Sequence, residues 1–305
     1  MKIVSLLPSA TEIVAALGLA EKLVGRSHEC DWPSNLSHLP VLTRPKINPL
    51  AEAAVIDRDV RALVEDASSV YKLDADAIRV IAPDVVITQS QCALCAVSLT
   101  EVETALQDWV GGEKPPRLVS LEPMTLADLA EDIEKTGAAL GVSREADRLN
   151  VDMAEGFAAL RAVTSELPRK KVFFMEWTVP LMGAGNWMPE TIAAAGGEVV
   201  LGQAGEHSPT VTLPEIAAAD PDVILVGPCG FSIDRARPEM AALQDNKDWQ
   251  NLRAVKAGEV FLVNGNHFFN RPGPRLLQSA EIVGEILHPH IFAATHHGAG
   301  WVRHA

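Results

Sequence analysis

Short apolar runs closed by Gly, Pro or Asp alternate along this chain with stretches whose apolar residues recur every three or four positions. That alternation predicts strands and helices in turn. Residues 3–7, Ile3-Val4-Ser5-Leu6-Leu7, read as a core strand, and residues 8–19 as an apolar helix in which Ser9 and Glu12 have capping-box spacing. A strand at 23–26 leads into a polar loop carrying His28, Cys30, Asp31 and Trp32, punctuated by Pro33 and Pro40. The pattern then predicts a helix at 74–81, a strand at 85–88, a helix at about 98–109 and a strand at 117–121.

Part of this pattern recurs. Ala77-Ile78-Arg79-Val80-Ile81-Ala82-Pro83-Asp84-Val85-Val86-Ile87 returns as Pro214-Glu215-Ile216-Ala217-Ala218-Ala219-Asp220-Pro221-Asp222-Val223-Ile224-Leu225-Val226. Each copy reads as a short helix, a Pro-Asp turn and a buried strand. Cysteine follows each strand, Cys92 and Cys95 after the first and Cys229 after the second. Residues 126–167 lack a strand pattern and keep helical spacing, interrupted at Gly141, so one long rigid connecting helix is expected. Beyond it the strand and helix order starts again, with strands near 171–176, 199–200, 223–226 and 260–263 and a last helix at 274–287.

The expected fold class is therefore α/β: two Rossmann-like lobes, 1–124 and 169–289, joined by a helix at 125–168 and followed by a mobile tail at 290–305. A length of 305 residues exceeds one usual core and agrees with two domains. In open α/β sheets, ligands bind outside the carboxyl ends of the strands, so a ligand cleft between the lobes is expected. The tail brings five histidines, counting His288, and a metal-binding role for it stays open.

A formal charge of -14 opposes binding to nucleic acid or to an anionic membrane surface. No apolar stretch reaches the roughly 20 residues that span a bilayer. The opening residues read as a core strand with no export signal before it, so the chain as written is expected to be cytoplasmic, or periplasmic if a signal has been removed. Four cysteines in such a chain do not make a disulfide framework, and Cys92-Ala93-Leu94-Cys95 has the spacing of a metal or redox pair.

Several segments carry a resemblance: Ser5-Leu6-Leu7-Pro8-Ser9-Ala10-Thr11-Glu12-Ile13, residues 25–33, Met182-Gly183-Ala184-Gly185-Asn186-Trp187 leading to Ala195-Gly196-Gly197, and Asn270-Arg271-Pro272-Gly273-Pro274-Arg275 followed by Leu287-His288-Pro289. In this order they resemble class III periplasmic substrate-binding proteins, and most nearly the cobalamin-binding branch, over residues 1–289. The resemblance implies two α/β lobes joined by a long helix, a corrinoid in a shallow cleft, and delivery to an ABC importer permease. It implies binding and not catalysis.

Trp32, Trp177, Trp187 and Phe268 fall in loops after strands, where flat faces suit a corrin or other tetrapyrrole ring. Phe269, beside them, reads more simply as core. Gln89, Glu176, Asn186, Asn264, Asn266 and Arg271 are the candidate polar contacts, and His28 is a candidate axial ligand with a neighbouring carboxylate to hold its second nitrogen. The alternative is a cytoplasmic metal or iron-sulfur protein, in which Cys30, Cys92, Cys95 and Cys229, with His28 as a substitute, hold zinc or a cluster for sensing or redox work. The Gly183-Ala184-Gly185 segment lacks the third glycine of a dinucleotide fingerprint, and no serine lies in a nucleophile elbow.

Overall fold

The computed structural model describes residues 1–65, 69–90, 102–104 and 115–304. The chain divides into two compact units, one of Met1–Ala51, Val55–Pro123 and Ala127–Asp152, the other of Glu52–Ala54, Met124–Leu126 and Met153–Ala305. The cysteine loop and the helix expected near 98–109 lie outside the described residues, apart from a short helical stretch at 102–104.

In the first unit the strands are β1 (Ile3–Ser5), β2 (Leu23–Arg26), β3 (Thr43–Pro45), β4 (Tyr71–Leu73), β5 (Val85–Gln89) and β6 (Arg117–Leu121). Four of them form a sheet in the order β2-β1-β5-β6, parallel throughout, while β3 and β4 pair antiparallel beside it. Every residue of β1 and β5 is buried, the signature of central parallel strands covered on both faces. The first helix, Pro8–Ala16, begins on its proline, whose missing N–H is one of the helix's unpaired donors anyway. Ser9 and Glu12 are therefore not a capping box: both lie within the helix and are buried. A capping box is formed instead at Thr212 and Glu215.

The second unit contains β7 (Lys170–Met175), β8 (Trp177–Thr178), β9 (Leu181–Met182), β10 (Gly197–Val199), β11 (Val223–Val226), β12 (Val260–Val263) and β13 (Trp301–Arg303). Its sheet runs β10-β7-β11-β12-β13, parallel except for the last strand. The parallel strands of both units thus follow one order, second-first-third-fourth, and the repeat supplies the third strand of each. The repeat is anchored alike in both units. The Ala75–Ile81 and Leu213–Ala219 helices end on left-handed residues that are not glycine, Ala82 at φ 49° and Asp220 at φ 47°. Asp84 then accepts from the backbone N–H of Lys2 at 2.6 Å, and Asp222 from that of Lys171 at 2.7 Å, tying each Pro-Asp turn to the start of its unit's first strand.

Two expectations need correction. The connecting segment is two helices, Leu126–Leu140 and Ser143–Thr164, with the chain turning at Gly141, where φ is 75°. Gly137 faces Ala146 so closely that an added Cβ would stand 2.4 Å from the alanine methyl, so the helices pack together at the turn and do not form one strut. The tail is not loose: β13 pairs antiparallel with β12, placing Val263 opposite Trp301.

Candidate functional site

In an open parallel sheet the strand order reverses between the first and third strands, and ligands gather at the carboxyl ends there. In the second unit that point lies between β7 and β11. Glu176 and Trp177 leave the end of β7, Cys229 and Phe231 follow β11, and the next strand, β12, runs into Asn264 and a single π-helical turn, Gly265–Phe269. Backbone hydrogen bonds knit the three exits together: Cys229 N to Glu176 O at 3.1 Å, and Asn266 N to Phe231 O at 3.0 Å. π-helical turns are rare and frequent at functional sites.

The aromatic residues here have different fates. Trp177 is partly exposed; its indole N–H donates to Val179 O at 2.9 Å and its ring stands edge-on to Phe231, 5.3 Å between centroids. The guanidinium of Arg235 covers Phe231 at 4.2 Å. Phe268 is also partly exposed, whereas Phe269 is buried against Phe174. Trp187, expected as a wall, is instead 8% exposed and donates its indole N–H to Phe269 O at 3.2 Å. Burial and this bond fix its position.

Glu176 lines a narrow crevice with Asn186, Trp187, Phe269 and Asn270. Burial pushes its carboxyl up to about 6, against the opposing hydrogen bonds from Ser208 Oγ, at 2.5 Å, and from the backbone of Gly185. Asn186 adopts φ 52°, and its backbone N–H donates to Glu206 O at 2.6 Å. Gly185 is required there, because an added Cβ would lie 2.5 Å from both Glu206 O and Ser208 N. Arg271 is buried and donates to Asn266 Oδ1 at 2.9 Å, so the two expected polar contacts form a pair. Asn264, expected as a polar contact, caps the turn by accepting from His267 N at 3.0 Å, whereas Ser208 and Phe231 belong to this constellation and escaped the sequence reading. For Phe231 a signal existed, an aromatic two residues beyond Cys229 at a strand exit.

In the first unit His28 holds Thr43 Oγ1 through Nδ1 at 2.7 Å and lies 5.2 Å from the Tyr71 ring. Burial, and then the charge of Arg26, lower its pKa and favour neutral imidazole. The expected carboxylate partner is absent from these contacts: Glu29 accepts from Tyr71 OH at 3.0 Å. Trp32 is 47% exposed. Gln89 ends β5 buried, and its Nε2 has no hydrogen-bond partner among the described residues.

Residues 3–266 match the model of a family described as "Periplasmic binding protein". The chain belongs to the periplasmic binding protein family. It is 23% identical over 304 residues to a vitamin B12-binding protein of Vibrio vulnificus, covering 93% of this chain and 89% of that one. Among solved structures it is similar to the periplasmic vitamin B12 binding protein BtuF of Vibrio cholerae, with a TM-score of 0.65, 21% identity, and coverage of 94% and 96% of the two chains. A periplasmic heme binding protein from Pseudomonas aeruginosa superposes with a TM-score of 0.70 at 20% identity, covering 94% of this chain and 92% of that one.

This periplasmic binding protein is two-lobed and α/β, as its pattern and the resemblance led one to expect. The cytoplasmic expectation gains no support from likenesses described as periplasmic. The four-cysteine alternative gains none either. Cys30 is buried in the first unit and accepts from Thr11 Oγ1 at 3.0 Å, so it packs as a small apolar residue. Cys229 is exposed in the second unit, and Cys92 and Cys95 lie outside the described residues. Among the described residues no three His, Cys, Asp or Glu side chains are grouped to hold a metal ion. No helix among them is long and apolar enough to cross a membrane.

Proposed function

We propose that this chain is a substrate-binding protein that holds a corrinoid, or a related tetrapyrrole, against the strand-end face described above. The observation that carries the reading is the partly exposed Trp177 set against Phe231, to which the Gly265–Phe269 turn is also tied. Such a surface offers a flat ring a large apolar area, with Glu176, Asn266 and Arg271 to orient its polar substituents. The vitamin B12-binding relative favours the corrinoid, and the heme-binding neighbour gives the second reading. The family resemblance and the periplasmic neighbours support a role outside the cytoplasm, handing ligand to the permease of an ABC importer. The event is binding and release, without chemistry on the ligand.

Titration of the full chain with cyanocobalamin and with hemin, followed by absorbance and calorimetry, tests the reading. Saturable binding of cyanocobalamin is expected, and Trp177→Ala should weaken it by roughly tenfold or more, as loss of a central aromatic anchor does. Binding of hemin alone would select the second reading, and binding of neither would sink both.

A further inference from the structure

We propose that residues 290–304 act as a positioning strap for the ligand-contacting turn, with His296, Ala299 and Gly300 as its positioning residues. The role rests on the reading of Phe268 and Asn266 as ligand contacts. Three observations carry it, and all fall within the second unit.

The first is the anchorage of the segment. Glu285, on the Leu276–Leu287 helix and buried, gathers donors from the segment: Thr295 N at 3.0 Å, Thr295 Oγ1 at 2.5 Å, His296 Nδ1 at 2.8 Å and Trp301 Nε1 at 2.7 Å. A buried carboxylate is costly unless its oxygens are hydrogen-bonded, and here one side chain fixes three residues of the strap. The second is the cap of the turn. Asn264 accepts from His267 N at 3.0 Å, which starts the Gly265–Phe269 turn. Asn264 is itself held from the strap: its backbone N–H donates to Gly300 O at 2.8 Å and its side-chain amide to Ala299 O at 3.1 Å. The third is a ring contact. His296 meets Phe268 in a T-shaped arrangement, 6.2 Å between centroids at 79°.

The strap therefore grips the cap residue and the aromatic member of one turn while locked to a helix behind it. A ligand that presses on Phe268 is opposed through His296 by the Glu285 lock. By linkage, the order of the strap and the affinity of the turn for ligand rise and fall together.

The test compares the full-length wild type with His296→Asn, His296→Ala and a control outside the strap, His38→Ala. His38 is exposed in the first unit, and its Nδ1 meets Asn35 O at 2.8 Å. His296→Asn keeps an amide donor for Glu285 while removing the imidazole face, so it carries the comparison if the alanine variant fails to fold. Hydrogen exchange at residues 265–271 is read without ligand, and cyanocobalamin affinity by titration. The His296 variants should exchange faster in the turn and bind roughly threefold to tenfold more weakly, the range for loss of one aromatic contact; the control should change neither. Unchanged exchange in the turn, or unchanged affinity where wild type binds, overturns the strap. Faster exchange in His296→Asn, with a wild type that binds neither cyanocobalamin nor hemin, supports the strap and overturns the ligand reading alone.

Discussion

Glu176 shows how one residue is set by its surroundings. Its ordinary value of 4.5 is raised by burial to about 6, so the folded protein keeps this proton to a higher pH than the unfolded chain does. Its contribution to stability is therefore fullest below about pH 4.5 and is lost as pH rises through about 6. Glu176→Gln should raise the melting temperature at pH 7.5 and leave it nearly unchanged at pH 4, where both side chains are neutral; a constant offset at the two pH values would contradict this. Taking the difference between wild type and variant cancels Asp132, which burial also pushes up to about 6. The two tryptophans make a second residue-scale contrast. Trp187→Ala should cost about 3 kcal/mol or more in urea unfolding because it empties a filled site. Trp177→Ala should act mainly on ligand affinity. Both follow a strand in the sequence pattern, and position along the chain does not distinguish them; the observed burial does.

At the scale of elements, the close approach of the two connecting helices is a packing constraint that propensity does not reveal. Gly137→Ala must push an alanine methyl from 2.4 Å, while Gly141→Ala meets nothing within 4 Å and bears only the left-handed φ. Gly141→Ala should lose about 1 kcal/mol, and Gly137→Ala about 1–3 kcal/mol, as overpacking does. Equal losses from urea denaturation would argue against the tight crossing. The same helices were legible as helices because their apolar spacing is sustained, and Gly141 was visible as the interruption. What could not be read was that the chain turns there. The Ala53–Glu65 helix lies outside that reading although Ile56, Val60 and Leu63 stand at helical spacing; among its residues only Ala53 is buried.

For the whole molecule, a ligand that binds only the folded chain raises stability by mass action. Cyanocobalamin at about 100 times its dissociation constant should add about 2.7 kcal/mol to unfolding, and a melting temperature independent of cyanocobalamin would count against the proposed function. The sequence by itself determined the α/β class, the repeated helix, Pro-Asp turn and strand, and the charge that disfavours nucleic acid, because each depends on local periodicity or composition. It also marked most of the loops at the strand ends. Only the tertiary structure decided which residues in those loops are covered, because burial depends on segments distant in the chain. Trp187 is buried, Cys30 is buried and accepts from Thr11, and residues 290–304, with no local pattern to show it, add a strand because β12 and Glu285 offer partners supplied from elsewhere.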